Sequence, residues 1–399
     1  MNDLFTARRP EDLVCFSHLR WGFVFQRPQH LMSRFAIRRR VFFVEEPIRE
    51  EGIEPSLRFR VCEKTRVNVV TPALPADVNG RQATKMLAKL VRELFTRKKI
   101  QDYIAWFYTP MALDYCGKLS PKAAIYDCMD ELSLFRNAPP ELTRNERKLF
   151  GLCDLVFTGG MSLFEAKRQQ HDRVYPFPSS VDCRHFAQAR SMEDSADDQK
   201  DIPHPRLGYA GVIDERIDMD LIRQMAEQRP EWQFVMIGPV VKIEADSLPR
   251  LPNIHWLGMK SYEDLPRYFA GWDVATMPFA LNEATRYISP TKTPEYLAAG
   301  LPVVSTPIRD VVRQYGDLGL VRIASNADEF AIEAEKAMTY GMTMKWRERA
   351  DAFLSTLSWD NTWESMNALI EEAIYAKSQV RRGLEAAPTA AEAGFGSAA

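Results

Sequence analysis

The chain has 399 residues, a formal net charge of −2 at pH 7 and a hydrophobic content of 46%. A chain of this length is too long to fold around one ordinary hydrophobic core, so two soluble domains are predicted. The near-neutral charge argues against a general nucleic-acid-binding protein. Residues 1–180 nevertheless carry 29 Lys/Arg against 21 Asp/Glu, so the N-terminal half is expected to meet an anionic partner. No signal peptide or membrane-spanning run is evident, so a cytoplasmic protein with its six cysteines reduced is expected.

Short apolar runs alternate with amphipathic stretches, a pattern typical of parallel sheets with crossover helices. The predicted strands are 12–17, 40–45, 103–108, 123–127 and 154–158, followed after residue 205 by RLGYAG, WQFVMIG, NIHWLG, WDVATMPF and PVVST. We therefore predict an α/β protein with two Rossmann-like parallel-sheet domains that face a central cleft. The predicted limits are 1–186 for the N-terminal domain, 187–204 for a polar linker, 205–358 for the C-terminal domain and 379–399 for a disordered tail.

The first segment expected at the cleft is FSHLRWGFVFQRPQHLMSRF, which follows the first predicted strand. Its Arg20, Gly22 and Arg27 suit the binding of a phosphate or a sugar. The alternative is that Arg27 and Pro28 only start a helix and that the aromatic residues belong to the core.

Carboxylates cluster in the second segment, AIYDCMDELSLF, just past another strand. Asp127, Asp130 and Glu131 suit a base or an acceptor of hydrogen bonds from a sugar hydroxyl. Alternatively, Asp130 only caps the following helix.

Glycines and an arginine mark the third segment, GYAGVIDERIDMDLI. Gly208 and Gly211 let the backbone approach a ligand, and Arg216 is within reach of a diphosphate. The alternative is that Arg216 pairs with Asp214 or Asp218 on a solvated turn.

The fourth segment, SPTKTPEYLAAGLPVVST, predicts a short helix. Thr293 is the expected N-cap, Pro294 the first helical residue and Gly300 the C-terminal stop. The N-terminus of such a helix presents free N–H groups to an anion, together with the residues just before it, Ser289, Thr291 and Lys292. The alternative is that Lys292 is an exposed loop lysine and Glu295 only interacts with the helix dipole.

A helix is also predicted in GRQATKMLAKLVRELFTRKKIQ. One face is an apolar stripe and the other is basic, with Leu87, Leu90, Val91, Leu94 and Phe95 against Lys85, Lys89, Arg92 and Lys99. The plain interpretation is a core-packed helix with a solvated basic face. The alternative is peripheral attachment to the anionic inner face of the cell membrane.

These motifs resemble a known family. NIHWLGMKSYEDLPRYFAGWDVATMPF followed by SPTKTPEYLAAGLPVVST resembles the donor-binding half of GT-B glycosyltransferases of the retaining, family-4-like group (glycosyl transferases group 1). FSHLRWGFVFQRPQHLMSRFAIRRRVFFVEEP is similar to a bacterial subgroup in exopolysaccharide, capsule and teichuronic-acid assembly. YPFPSSVDCRHF resembles the passage out of the N-terminal domain, and SWDNTWESMNALIEEAI the terminal helix that returns to it, here expected at 359–378.

The resemblance implies a GT-B fold, a nucleotide-sugar donor (most often a UDP-sugar) on the C-terminal domain, and a saccharide or lipid-linked saccharide acceptor on the N-terminal domain. It implies no metal and no cofactor. Glu295 matches the second glutamate of the family's Glu-x7-Glu pattern, which contacts the ribose. Tyr287 stands in place of the first, with Glu283 nearby as a candidate substitute, and of the family's Arg/Lys pair only Arg216 is clear.

Leaving-group chemistry completes the prediction. Arg216, Lys292 and the helix N-terminus would stabilise the departing diphosphate, and Asp127 or Asp130 would orient the acceptor hydroxyl. The residues expected to bind the nucleotide sugar are Gly22, Gly211, Arg216, Ser289, Thr291, Lys292 and Glu295. Two alternatives remain, a sugar-nucleotide epimerase of related fold and a non-catalytic glycosyltransferase-like partner subunit.

Overall fold

The computed structural model describes residues 11–116, 120–340 and 343–386, which form two α/β domains around two separate sheets. The elements of the first domain are β1 (Asp12–Phe16), α1 (Arg27–Arg38), β2 (Val41–Val44), β3 (Ile48–Glu50), β4 (Ser56–Val61), β5 (Asn68–Pro75), α2 (Gly80–Lys98), β6 (Tyr103–Phe107), α3 (Leu113–Cys116), β7 (Ala123–Cys128), α4 (Leu142–Phe150), β8 (Leu155–Thr158), α5 (Met161–Lys167) and β9 (Val174–Pro176). The second domain contains α6 (Cys183–Ala187), β10 (Arg206–Ala210), α7 (Met219–Gln228), β11 (Gln233–Ile237), β12 (Ile254–Gly258), α8 (Leu265–Ala270), β13 (Val274–Met277), α9 (Lys292–Ala299), β14 (Val303–Ser305), α10 (Arg309–Val311), β15 (Arg322–Ile323), α11 (Ala327–Tyr340) and α12 (Met344–Leu354). The last helix is α13 (Trp359–Ala386).

The first sheet has the strand order β3-β5-β2-β1-β6-β7-β8-β9, with β4 paired to β5. All of these pairs are parallel except β4–β5. The central strands β1, β2, β6, β7 and β8 are buried along their whole length, as expected for continuous apolar runs covered on both faces. Order reverses between β1 and β6, and this switch point opens a crevice at the carboxyl ends of the strands.

The second sheet is wholly parallel, with the order β12-β11-β10-β13-β14-β15. Its switch point lies between β10 and β13. Gly208 in β10 packs so closely on Trp272 that a Cβ would overlap the indole ring, which explains a glycine in a buried strand. The prediction of two Rossmann-like parallel sheets is confirmed.

The segment between the sheets is more ordered than its composition suggests. Val181 and Phe186 already belong to the core of the second domain, and so do Ala189 and Ala196. Gln199 is fully buried: its amide donates to the carbonyl oxygen of Tyr268 at 2.8 Å. The predicted linker, 187–204, is therefore anchored on the C-terminal domain at Ala189, Ala196 and Gln199, while most of its other residues are exposed.

The last helix crosses back to the first domain. Trp359, Trp363, Met366 and Ile370 of α13 are buried in the same cluster as Leu31 and the strands of the first sheet. The helix continues to Ala386, so a disordered tail from residue 379 is wrong for 379–386, and 387–399 lie outside the described residues.

Helix α2 packs its apolar stripe inward. Leu87, Leu90, Val91 and Leu94 are buried in the core, and Phe95 packs edge-on against Tyr103. Their apolar surface is not available for membrane insertion, which agrees with a core-packed helix, and attachment of the basic face to an anionic membrane stays a prediction. Among the residues described, no helix combines the length and apolar character required for a membrane span.

Candidate active site

A cleft separates the carboxyl ends of the two sheets, with about 760 Å³ of free space that includes open solvent at its mouth. Both domains line it. The first domain contributes Val24, Gln26, Arg27, Met129, Asp130, Gly159 and Ser179, and the second Tyr209, Gly211, Val212, Arg216, Phe279, Ile288, Ser289, Pro290, Thr291 and Lys292. Seven of the predicted site residues thus meet here: Arg27, Asp130, Gly211, Arg216, Ser289, Thr291 and Lys292.

Helix α9 begins at the cleft. Its first residue is Lys292 and its N-cap is Thr291, so the helix starts earlier than the expected cap at Thr293, and Pro294 lies within its first turn. Gly300 ends the helix as predicted, with a φ of +82° that favours glycine. Tyr296 fixes the helix to the second sheet, because its Oη accepts a hydrogen bond of 2.8 Å from the Ala210 N–H.

Lys292 and Glu295 form an ion pair within the first turn of α9. Their Nζ and Oε2 atoms are 3.1 Å apart, and both side chains are largely buried. Burial raises the pKa of the Glu295 carboxyl, while Lys292 opposes the shift. Glu295 is itself not part of the cleft wall in this structure, so its expected contact with a ribose stays a prediction.

Arg216 lies on the loop after β10, where it is held by Asp214. Its Nε and Nη2 atoms donate to both carboxylate oxygens, the shortest distance being 2.7 Å. The pairing considered as an alternative is therefore present, yet the side chain keeps part of its surface in the cleft. Nearby, a Cβ on Gly211 would approach the Tyr209 Oη to 2.6 Å, so this position has no room for a larger residue.

Asp127 does not reach the cleft, which corrects its assignment as a catalytic residue. It is fully buried and receives hydrogen bonds from Arg27 Nε and Nη2 at 2.8–3.1 Å. A second amino group of Arg27 donates to the Phe177 carbonyl oxygen at 2.7 Å. This pair ties α1 to the ends of β7 and β9, so its role is structural.

Asp130 is the carboxylate that faces the cleft. Burial raises its pKa, and Asp214 adds to the shift, whereas Arg216 and Lys242 oppose it. On the same side, His18 has a buried Nδ1 atom that finds no hydrogen-bond partner among the described residues. Burial lowers the pKa of His18 to about 4, so its imidazole is neutral at pH 7.

Two other predictions are corrected by position, and the place of Tyr287 is defined. Gly22 lies on an exposed loop beside Arg60 and does not line the cleft. Glu283 is exposed and pairs with Arg286 at 3.6 Å, so it does not replace the missing glutamate. Tyr287, at the position of that glutamate, packs against the core of the first domain and bridges the two domains.

Two residues near the cleft escaped the sequence analysis. Phe135 projects from the loop after β7, and Lys242 from the loop after β11; the Lys242 Nζ lies 4.6 Å from the centre of the Phe135 ring. The Arg216 guanidinium lies 5.3 Å from the same ring. A usable signal existed for Lys242, since it follows Gly238-Pro239 at the end of a predicted strand, where cleft residues are expected.

The domains also touch at the N-terminus of α5. Asp310 of the second domain accepts hydrogen bonds from the Ser162 N–H at 3.0 Å and from its hydroxyl at 2.5 Å, and both residues are buried. Gly160 makes this approach possible, because a Cβ there would overlap Asp310 and Ser289. The contact therefore connects the first domain to α10, and Gly160 lies against Ser289 in the loop that precedes α9.

Comparison with known proteins agrees with this geometry. Residues 204–339 match the sequence profile of the family described as "Glycosyl transferases group 1". A curated protein from Bacillus subtilis (strain 168), "Putative teichuronic acid biosynthesis glycosyltransferase TuaH", is 35% identical over 103 residues. The matched part spans 25% of this chain and 26% of that relative, about a quarter of its length.

Solved structures match over almost the whole chain, at identities that show the fold alone. "Trehalose-6-phosphate from E. coli bound with UDP-2-fluoro glucose" has a TM-score of 0.65 and 13% identity, covering 90% of this chain and 99% of its own. Sucrose-phosphate synthase from Thermosynechococcus elongatus has a TM-score of 0.61 and 14% identity, covering 95% and 100%. Anabaena Alr3699/HepE in complex with UDP has a TM-score of 0.62 and 12% identity, covering 91% and 100%. The chain thus has the GT-B fold, and its residues 204–339 resemble the glycosyl transferases group 1 family.

Proposed function

We propose that this protein is a glycosyltransferase that moves a hexosyl unit from a nucleoside-diphosphate sugar to a saccharide acceptor. The observation that carries the proposal is the cleft itself. There Arg216, Lys292 and the N-terminus of α9 converge at the carboxyl end of the second sheet, within the family-matched residues. Cations and free N–H groups at such an edge suit the negative charge of a diphosphate.

The chemistry follows from charge development. As the bond between the anomeric carbon and the phosphate oxygen breaks, its electron pair passes to the diphosphate and positive charge grows on the sugar ring. Arg216, Lys292 and the helix dipole stabilise the departing diphosphate where it forms. The acceptor oxygen bonds to the anomeric carbon on the face that the diphosphate leaves, and its proton goes to the departing phosphate oxygen, which gives retention of configuration.

Asp130 is the residue proposed to orient the acceptor. It is the carboxylate of the first domain that borders the cleft, opposite the diphosphate-binding residues. A carboxylate that accepts a hydrogen bond from another hydroxyl of the acceptor places the reacting oxygen against the anomeric carbon, and the proton of the reacting hydroxyl stays free for the departing phosphate oxygen. Asp127 does not share this role, because Arg27 occupies both of its oxygens.

The donor and the acceptor are assigned by class. Two of the structurally similar proteins are described with UDP or a UDP-sugar analogue bound, which favours a UDP-sugar here. The similarity to a teichuronic-acid glycosyltransferase favours a lipid-linked saccharide acceptor in cell-surface polysaccharide synthesis, and hence work at the cytoplasmic face of the membrane. Since the apolar stripe of α2 is buried, peripheral attachment would depend on basic side chains alone.

The test is acceptor-dependent release of nucleoside diphosphate, measured across a panel of nucleotide sugars and saccharide acceptors. We expect one donor to be consumed only when an acceptor is present, with the anomeric configuration kept in the product. Turnover of the donor without any acceptor would instead indicate an epimerase. Absence of both donor binding and turnover across the panel would refute the proposal. Asp130→Asn serves as the variant that should lower turnover while donor binding persists.

A further inference from the structure

Two cations of the second domain contact an aromatic ring from the first. Arg216 Cζ lies 5.3 Å and Lys242 Nζ 4.6 Å from the centre of the Phe135 ring. Phe135 follows a short turn at Leu132–Leu134 in the loop between β7 and α4. The negative face of an aromatic ring attracts cations, so one ring here holds two cations across the domain boundary.

The loop that carries Phe135 is fixed at both ends of this contact. At its base, Glu131 pairs with the buried Lys167 at 2.7 Å, and Lys167 also pairs with Glu146 at 2.8 Å. Next to the ring, the Arg136 N–H donates to Glu215 Oε1 at 3.3 Å. The ring is thus anchored on the first domain and placed against the Arg216 loop of the second.

Lys242 is likewise held in an unusual position. Its φ is +61°, a left-handed conformation that is unfavourable for a residue with a side chain. The preceding residue is tied to the β10 loop, since the Val241 N–H donates to the Ile213 carbonyl oxygen at 3.0 Å. Among residues 11–116, 120–340 and 343–386, no carboxylate lies within ion-pair distance of Lys242.

The charges at the cleft explain why this matters. Arg216 is neutralised by Asp214 and Lys292 by Glu295, so neither cation brings a whole unpaired charge to a ligand. A nucleoside diphosphate carries more than one negative charge at its leaving group. Within the described part of the chain, Lys242 forms no ion pair with a carboxylate, and the Phe135 ring contacts both Lys242 and Arg216.

We propose that Lys242 contributes the unpaired positive charge of the diphosphate site and that Phe135, a positioning residue, holds Lys242 and Arg216 in place from the opposite domain. This inference rests on the proposed function. The inference goes beyond the proposed function because both domains then contribute to the donor site. The cations lie on the second domain, and the ring that aligns them lies on the first. Separation of the domains would then weaken diphosphate binding without disturbing the nucleoside.

The test compares Phe135→Leu with a matched control, Phe59→Leu. Phe59 is also half-buried beneath two cations, with Arg97 Cζ at 5.2 Å and Lys98 Nζ at 4.3 Å, but it lies on β4 of the first domain and does not line the cleft. Leucine keeps apolar bulk and removes the ring. Calorimetry first compares UDP, GDP and ADP on the wild-type chain to find the base that binds most tightly. The affinities of all variants for the diphosphate and the monophosphate of that nucleoside (UDP and UMP, if the base is uracil) are then measured.

Loss of two cation–ring contacts should weaken binding of the nucleoside diphosphate about 5- to 30-fold in Phe135→Leu. Phe135→Leu should bind the nucleoside monophosphate as tightly as the wild type does, because the monophosphate lacks the second phosphate group, whose charge these cations are proposed to hold. Phe135→Trp keeps an aromatic ring and should bind the diphosphate as tightly as the wild type does. Lys242→Ala should weaken diphosphate binding as Phe135→Leu does. Phe59→Leu should leave both affinities unchanged.

The outcomes separate the two proposals. If the wild-type chain bound no nucleoside diphosphate, the proposed function would fail and this inference with it. If it bound one and Phe135→Leu bound it equally tightly, only the inference would be refuted. An equal loss of diphosphate and monophosphate binding would also refute it, since the ring would then shape the pocket instead of positioning charge.

Discussion

The buried pair of Arg27 and Asp127 allows a sharp separation of stability from catalysis. Both side chains are almost completely inaccessible to solvent, at 1% and 0%. Replacement of Asp127 by Ala would leave the Arg27 guanidinium charged and unpaired in the core, which costs about 3–5 kcal/mol. For a domain of this size each kcal/mol lowers the melting temperature by roughly 2–4 °C, so we expect a fall of about 6–20 °C.

The double variant Arg27→Met/Asp127→Leu removes the unpaired charge together with the pair. It should recover most of the lost stability, apart from the hydrogen bond to the Phe177 carbonyl oxygen, which is worth about 1 kcal/mol. Asp130→Asn is the matched control, since Asp130 faces the cleft and its replacement creates no buried charge.

The assay combines thermal unfolding by circular dichroism with nucleotide release per folded molecule. Asp127→Ala should lower the melting temperature and retain wild-type turnover at temperatures well below the unfolding transition. Asp130→Asn should retain the melting temperature and lower turnover. If Asp127→Ala melted like the wild type but lost turnover, Asp127 would be catalytic and its structural role refuted.

Three further changes test other parts of the site. Lys292→Ala should reduce turnover about 30- to 150-fold and also destabilise the fold, because it leaves the buried Glu295 carboxylate without its partner. The double variant Lys292→Ala/Glu295→Gln should recover the melting temperature but not turnover. Full activity of Lys292→Ala would contradict the assignment of Lys292 to the diphosphate site. His18 has a folded-state pKa lowered to about 4, so its contribution to stability is present above pH 6.5 and is lost as the pH falls towards 4; His18→Gln should flatten this part of the urea-unfolding profile relative to the wild type, and an unchanged profile would contradict it. Gly160→Ala places a methyl group against Asp310, and it should clearly lower turnover while changing the melting temperature only slightly, with both measured on the same sample. Unaltered turnover would show that this contact is not needed for activity.

Much of the architecture is determined locally. The core strands β1, β2, β6, β7 and β8 are continuous apolar runs, and a strand buried on both faces has no other composition available. The end of α9 was equally readable, since a glycine at the C-terminus adopts the left-handed conformation at little cost. The loops at the carboxyl ends of parallel strands then point to one cleft, which is why Asp130, Arg216 and Lys292 were found from the sequence.

The edge strands and the segment 187–204, which is anchored by a few buried residues, show where local pattern fails. β4 was missed because it alternates exposed and half-buried residues and pairs antiparallel with β5 outside the main strand order. The acidic segment 187–204 reads as a linker, yet Gln199 finds partners in Tyr268 and Trp272, some 70 residues away in the sequence. Composition measures the average environment of a segment and cannot show which polar group has a distant partner.

The roles of individual charged residues were decided by tertiary structure. Asp127 and Asp130 are both carboxylates at the end of one strand, but Arg27, 100 residues earlier, occupies the first and leaves the second to the cleft. Phe135 and Lys242 lie on different domains, and no spacing in the sequence brings them together. A charge acts through whatever lies within a few ångströms of it, and that distance is set by how the two domains pack, which local sequence does not encode.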